Sequence, residues 1–233
     1  MSGLLITFEG TEGGGKSTQV QLLAERLRGA SRTVRVLREP GGTPIGEEVR
    51  HTLKHSDANH AMTSEAELLL MNASRAQLVR EVIRPALKAG EIVLCDRFYD
   101  STTAYQGYGR RLDLARVKSI IDFAVGQTRP QLTLLLDVPL EVSEARRSSR
   151  QAKLIEVPPA AGGAKHSPRL AFNEPLRDRM EEADRAFFER VHEGFAAIAS
   201  AEPTRVRIID ATLGIDDVHA AVWRVVEPWL ERG

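Results

Sequence analysis

The sequence predicts an α/β fold in three layers, a five-stranded parallel sheet with helices on both faces. Three observations predict it. Short runs rich in Val, Ile and Leu alternate along the chain with stretches of helical periodicity, the pattern of strand–helix–strand crossovers. A glycine-rich signature, Gly10-Thr11-Glu12-Gly13-Gly14-Gly15-Lys16-Ser17, falls between the first such strand and the first such helix. The chain's 233 residues suffice to bury a sizeable core as one domain, 1–233.

The elements follow in order. Leu4-Leu5-Ile6-Thr7-Phe8 reads as a short buried strand within 3–9. Helix 16–29 has Val20, Leu22, Leu23, Ala24 and Leu27 at helical spacing and a stop near Gly29. A second strand, 33–37, ends in the turn Arg38-Glu39-Pro40-Gly41-Gly42-Thr43, which leads into helix 44–54. Helix 64–89 opens on Ser64-Glu65-Ala66-Glu67, the spacing of a capping box. Pro85 is expected to kink it before Gly90 ends it. Strand 91–96 carries Cys95, and helix 113–126 joins it to strand 132–137. Helices 140–151 and 175–200 follow. The second carries Met180, Ala183, Phe187, Val191, Phe195 and Ile198 on one face, a core stripe. Strand 205–210 and helix 215–231 close the chain, with Trp223 and Trp229 expected to pack. The run Val157-Pro158-Pro159-Ala160-Ala161-Gly162-Gly163 fits neither a regular helix nor a central strand.

The charge balance narrows the function. Lys plus Arg and Asp plus Glu number 32 each, so no global field attracts nucleic acid or an anionic membrane. A single cysteine cannot form an internal disulfide, and Cys95 reads as an inert core thiol. No apolar run reaches membrane-spanning length and the start lacks signal-peptide character, so a cytoplasmic protein without a membrane partner is expected.

The 10–17 run is the main chemical clue. Glycines let the backbone curl around a polyphosphate with its N–H groups inward, and the following helix N-terminus adds positive potential. Lys16 should meet the β- and γ-phosphates and the Ser17 hydroxyl should ligate Mg²⁺. The expected ATP-binding set is Gly10, Thr11, Glu12, Gly13, Gly14, Gly15, Lys16, Ser17 and Thr18. Neither the Asp-x-x-Gly switch of motors and GTPases nor the guanine-reading Asn-Lys-x-Asp occurs. Instead Asp96-Arg97 ends a strand at the sheet's carboxyl edge, where such folds bind ligands. There Asp96 would complete the metal site and Arg97 would clamp a second phosphate. Arg146, Arg147 and Arg150 precede the irregular 157–165 run and Arg169, Arg177 and Arg179 follow it, which suggests a lid over about 146–179 that closes on phosphates.

With these motifs in hand, the sequence resembles the thymidylate kinases, nucleoside monophosphate kinases with the P-loop NTPase fold. Carrying the likeness are Phe8-Glu9-Gly10 through Ser17, Arg38-Glu39-Pro40-Gly41-Gly42-Thr43, Ala73-Ser74-Arg75-Ala76-Gln77, Asp96-Arg97-Phe98-Tyr99, Ser101 through Gly107, and Asp178-Arg179-Met180-Glu181. The resemblance implies ATP and dTMP as substrates, Mg²⁺ as cofactor and a homodimer. It implies that Arg75 donates to a thymine carbonyl, Gln106 reaches the base edge, and Arg50 and Arg97 bind the dTMP phosphate. Glu12 would approach the 3′-hydroxyl, and Tyr105 would crowd the 2′ position. Arg38, Met71 and Thr102 complete the dTMP set. Met71 stands where the family usually has an aromatic residue, one turn before the arginine; a thioether offers polarizable but less directional contact with a ring.

The stretch between Gly10 and Gly15 lacks Arg and Lys, so the charge on the transferring phosphoryl group must be met by the lid, as in the bacterial-type branch. Arg150 is the first choice, beside Lys16, Arg97 and Asp96 in the catalytic set, with Arg146 and Arg147 as neighbours. An already anionic phosphate acceptor needs no general base, only alignment, cations and exclusion of water. Two alternatives stay open at this point: a thymidine kinase with Glu39 as base, and a non-catalytic nucleotide-binding regulator.

Overall fold

The computed structural model describes residues 3–155 and 184–230. Five strands, β1 (Leu4–Glu9), β2 (Val34–Arg38), β3 (Ile92–Asp96), β4 (Leu132–Asp137) and β5 (Val206–Asp210), form one all-parallel sheet in the order β2-β3-β1-β4-β5. Helices α1 (Lys16–Gly29), α2 (Pro44–Lys54), α3 (Ser64–Leu78), α4 (Arg84–Lys88), α5 (Tyr99–Thr102), α6 (Leu114–Val125), α7 (Leu140–Ile155), α8 (Arg185–Ala201) and α9 (Ile215–Leu230) cover it. All five predicted strands form within a residue of the expected bounds.

Alternation along the strands divides the core. Ile6 and Phe8 of β1, Ile92 and Leu94 of β3, and Leu132, Leu134 and Leu136 of β4 pack with α1 and α9. Leu5, Val93 and Cys95 face the other way, toward α3, α4 and α6. Glu9 shares the parity of Leu5, so a carboxylate is buried on that second face with no exposure at all. The stripe expected on α8 holds for Phe187, Val191, Phe195 and Ile198, which pack with Tyr105 and Leu135; Met180 and Ala183 lie outside the described residues. Asp184 caps this helix, its side chain accepting from the Phe187 N–H at 2.7 Å. Trp223 and Trp229 pack on the α1–α9 core, and Arg26 lies 3.8 Å from the Trp223 ring centroid.

Three regions differ from or add to these expectations. The N-cap of α3 is Thr63, which accepts from the Ala66 N–H at 3.2 Å; Ser64 is the first helical residue, and Glu67 turns inward rather than back to the cap. The 64–89 run is broken at the turn before Pro85: a π-helical turn, Val79–Ile83, links α3 to α4, where the ring and missing N–H of Pro85 disfavour a regular α-helical turn. Third, residues 99–109 are helical, α5 continuing into a π-helical segment, Thr103–Gly109. The sequence predicts no element there; burial against α6 and α8 offsets the weak helical propensity of its glycines and polar residues. Among the described residues no helix is long and apolar enough to cross a membrane.

Candidate active site

In this sheet order β1 is flanked by β3 and β4, and the chain reverses its direction of winding at β1, so the crevice for a ligand opens at the carboxyl ends of the strands. The register sets Phe8 opposite Asp96, which brings the 10–17 loop beside Asp96-Arg97. Gly10 has φ 130°, and a Cβ there would collide with the Leu136 carbonyl, so the loop is closed to larger side chains at its entry. Gly15 caps α1 in the left-handed conformation with no side-chain cap, which leaves the first turn for an anion.

Within the loop, Lys16 is buried and donates to the carbonyls of Thr11 at 2.8 Å and Gly10 at 3.2 Å. Burial and the Arg97 charge lower its pKa to about 8 against the opposing pull of Glu12 and Asp96. Ser17 donates to Asp96 Oδ2 at 2.6 Å, so the two expected metal ligands are already paired. Two hard oxygen donors and no more suit a cation that keeps water and phosphate as its other ligands; among the described residues no cluster of three metal-ligating side chains exists. Thr18, like Ser17, is exposed, while Thr11 is buried with no partner for its hydroxyl among the described residues.

Arg97 is the hub. It adopts φ 70°, an uncommon conformation for a non-glycine residue, and its guanidinium donates to Gly10 O at 3.0 Å, Ser101 Oγ at 2.8 Å, Glu12 Oε1 at 2.6 Å and Tyr105 Oη at 3.2 Å. Burial alone would raise the Glu12 pKa, but the Arg97 and Lys16 charges outweigh it and hold the carboxyl at about 2. The Gly10 carbonyl therefore accepts from both Lys16 and Arg97.

Glu9 supports this turn, a role that nothing in its isolated position in an apolar strand announced. Its carboxylate accepts from the Phe98 N–H at 2.8 Å and from Ser101 Oγ at 2.5 Å. Burial, and next the Asp100 charge, raise its pKa to about 8. Asp100 is held in turn by Arg205 at 2.7 and 2.9 Å.

On α3, Arg75 is 2 % exposed and all three guanidinium nitrogens are engaged, with Glu39 at 2.6–2.8 Å, Asn72 at 3.0 Å, Thr102 at 2.9 Å and the Phe98 carbonyl at 3.1 Å. Glu39 is buried, burial raising its pKa against the Arg75 charge, and its Oε1 has no partner among the described residues. Met71 lies half-buried one turn before Arg75. Gln106 is buried on the 103–109 segment with its amide on Glu67 at 2.9 Å. Arg38 and Arg50 both donate to the Pro40 carbonyl, at 3.1 and 3.0 Å, and Arg38 also pairs with Glu47.

Two α7 residues bind the phosphate loop. Ser143 donates to Glu12 O at 2.6 Å, and Arg146 to Gly13 O at 3.3 Å and Ala211 O at 2.9 Å. Arg150 falls on α7, but its side chain and that of Arg147 lie outside what is described, as do Arg169, Arg177, Arg179 and most of the 146–179 segment. The structure thus brings together Lys16, Ser17, Asp96, Arg97, Glu12 and Tyr105, and links Arg75 with Thr102. Sequence reasoning missed Glu9, Glu67 and the Glu39–Arg75 pairing.

A parallel sheet with a glycine-rich loop at its switch point, a loop lysine, and a serine paired with a strand-end aspartate defines a P-loop NTPase. The family model for thymidylate kinase matches residues 8–158. A thymidylate kinase of Chlorobium luteolum is 44% identical over 219 residues, 94% of each chain, and one of Pseudomonas fluorescens is 44% identical over 232 residues, covering 100% of this chain and 99% of its own. The crystal structure of thymidylate kinase from Ehrlichia chaffeensis superposes with a TM-score of 0.72 at 32% identity, over 97% of this chain and all of that one. The chain belongs to the thymidylate kinase family.

Proposed function

We propose that this kinase transfers the γ-phosphoryl group of ATP to dTMP, giving dTDP, by direct in-line attack of the acceptor phosphate. The observation that carries the mechanism is the shared Gly10 carbonyl. It sets the loop lysine, fit for the donor phosphates, beside the arginine fit for the acceptor phosphate. Two anions that repel each other in water would meet between fixed cations that need no reorganisation during the reaction. Ser17 and Asp96 would hold Mg²⁺, which when bound neutralises charge on the β- and γ-oxygens. Arg150 is our first choice for the remaining charge, with Arg147 beside it, since Arg146 is committed to two carbonyls.

On the acceptor side, Gln106 and Met71 take the base, joined by Arg75 through exchange of one of its internal partners, Glu12 takes the 3′-hydroxyl, and Tyr105, packed against Phe187 and Phe195, the 2′ edge. Arg38, Arg50 and Thr102 complete that pocket. Glu39 is buried and holds Arg75 through one oxygen, which favours a supporting role over that of a base to a neutral hydroxyl. This weighs against thymidine as acceptor. A pure binder has little use for two adjoining phosphate clamps.

We also read the chain as a cytoplasmic homodimer. Leu69 of α3 and Phe123 of α6 are exposed, Phe123 by 83 %, on two helices that pack together, which favours an apolar contact with a second copy. A coupled ATP-consumption assay with dTMP, dUMP, thymidine, AMP and CMP tests the activity. Turnover with dTMP and none with thymidine is expected; the reverse order overturns the assignment.

A further inference from the structure

We propose that Glu67 is a positioning residue that sets the base preference of the acceptor site, by fixing which end of the Gln106 amide meets the base. The inference rests on the reading of Gln106 as base-facing and deepens it. Glu67, 1 % exposed, accepts from Gln106 Nε2 at 2.9 Å and from Arg110 Nε and Nη2 at 3.2 and 3.1 Å. Arg110 is itself fixed, its guanidinium 4.7 Å from the Phe187 ring centroid. A carboxylate held by a guanidinium accepts and does not donate, so only the NH₂ end of Gln106 can face it. The orientation of the amide is therefore dictated by its partner's chemistry.

The consequence lies at the other end. Gln106 is 1 % exposed, and among the described residues none donates to its Oε1. A nearly buried acceptor calls for a donor. A 2,4-dioxopyrimidine supplies one, its N3–H, whereas cytosine presents an acceptor nitrogen at the same place. Glu67 thereby selects imide bases over cytosine without touching the substrate, and it is indifferent to the 5-methyl group.

The test measures kcat/KM for dTMP, dUMP and dCMP in the unaltered chain, Glu67→Gln, Gln106→Leu and the double variant. A glutamine at 67 can donate or accept, which frees the Gln106 amide to turn. The dTMP:dCMP ratio should then fall by about tenfold or more, with dTMP:dUMP unchanged. In the Gln106→Leu background the same substitution should leave the dTMP:dCMP ratio where it was. Equal losses on dTMP and dCMP would reduce Glu67 to a structural role, and a ratio that still moves in the Gln106→Leu background would show that it acts elsewhere. Inhibition of the unaltered chain by dCMP, which keeps the ring size and presents an acceptor nitrogen in place of N3–H, guards against misfolded variants. Inhibition about tenfold weaker than the affinity for dTMP supports the assignment, and equal affinity overturns it. No turnover of dTMP by the unaltered chain would overturn this inference and the kinase reading together.

Discussion

The two halves of the candidate site are built differently. The donor half is one contiguous stretch, residues 10–18, plus Asp96; its groups are backbone N–H vectors, one lysine and one hydroxyl. The acceptor half is assembled from the β2–α2 turn, α3 and the 97–110 segment, with Glu12 reaching in from the loop, and its cations are pinned by carboxylates: Arg97 by the partly buried Glu12, Arg75 by the buried Glu39, Arg110 by the buried Glu67. A polyphosphate brings so much charge that a glycine cradle suffices. A pyrimidine base offers only a few polar atoms, so its readers must be held rigidly and their charges balanced in advance.

The substitutions that test this contrast range from rate to affinity. The largest effect is expected from Arg150→Ala, which should lower kcat by about 10³-fold or more while the KM for dTMP changes little. Steady-state kinetics check this, and unchanged turnover would move the role to another arginine. Next comes Glu39→Ala, which strands the buried Arg75 charge and should cost about 3–5 kcal/mol of stability in chemical denaturation. Glu12→Ala, at the partly buried partner of Arg97, should cost less stability and instead raise the KM for dTMP; equal stability losses from both would show that burial does not set the cost of breaking such a pair.

The pH responses should also differ. Lys16, lowered to about 8, loses its positive charge above that pH, so kcat/KM for ATP should decline on the alkaline side. Glu9 has a folded pKa near 8, raised from about 4.5. A raised value means that the folded state binds the proton more tightly. Its contribution is therefore full below about pH 4.5 and is lost as pH rises through about 8. Thermal melts between pH 5 and 8 should show the parent chain losing stability relative to Glu9→Gln, whose amide stays neutral; parallel melting curves would refute this. The smallest effect is expected from Met71→Phe, which should preserve or modestly tighten dTMP binding by calorimetry, since an aromatic ring stacks more directionally than a thioether.

The contrast also explains what was legible in the sequence. The sheet could be read because strands covered on both faces are mostly Val, Ile and Leu, with the few polar residues, such as Thr7 and Thr133, paired with each other. The donor loop could be read because its geometry demands glycine at fixed offsets. Glu67 was misread because a Glu three positions after a Ser has the spacing of a cap, and only the fold brings Gln106 and Arg110, 39 and 43 residues on, to meet it. The 99–109 helix escaped notice because its stability comes from packing on α6 and α8, not from local propensity. Glu9 and Glu39 could be seen as motif letters but not as supports, since each acts on a segment distant in the chain.

A crystal structure of the chain with dTMP and a non-hydrolysable ATP analogue tests the central claim most directly. The account predicts the dTMP phosphate on Arg97, its base between Met71, Arg75 and Gln106, and the ATP γ-phosphate at Lys16 on the other side of the Gly10 carbonyl. A dTMP phosphate remote from Arg97, or two nucleotides whose phosphates do not face each other there, would contradict it.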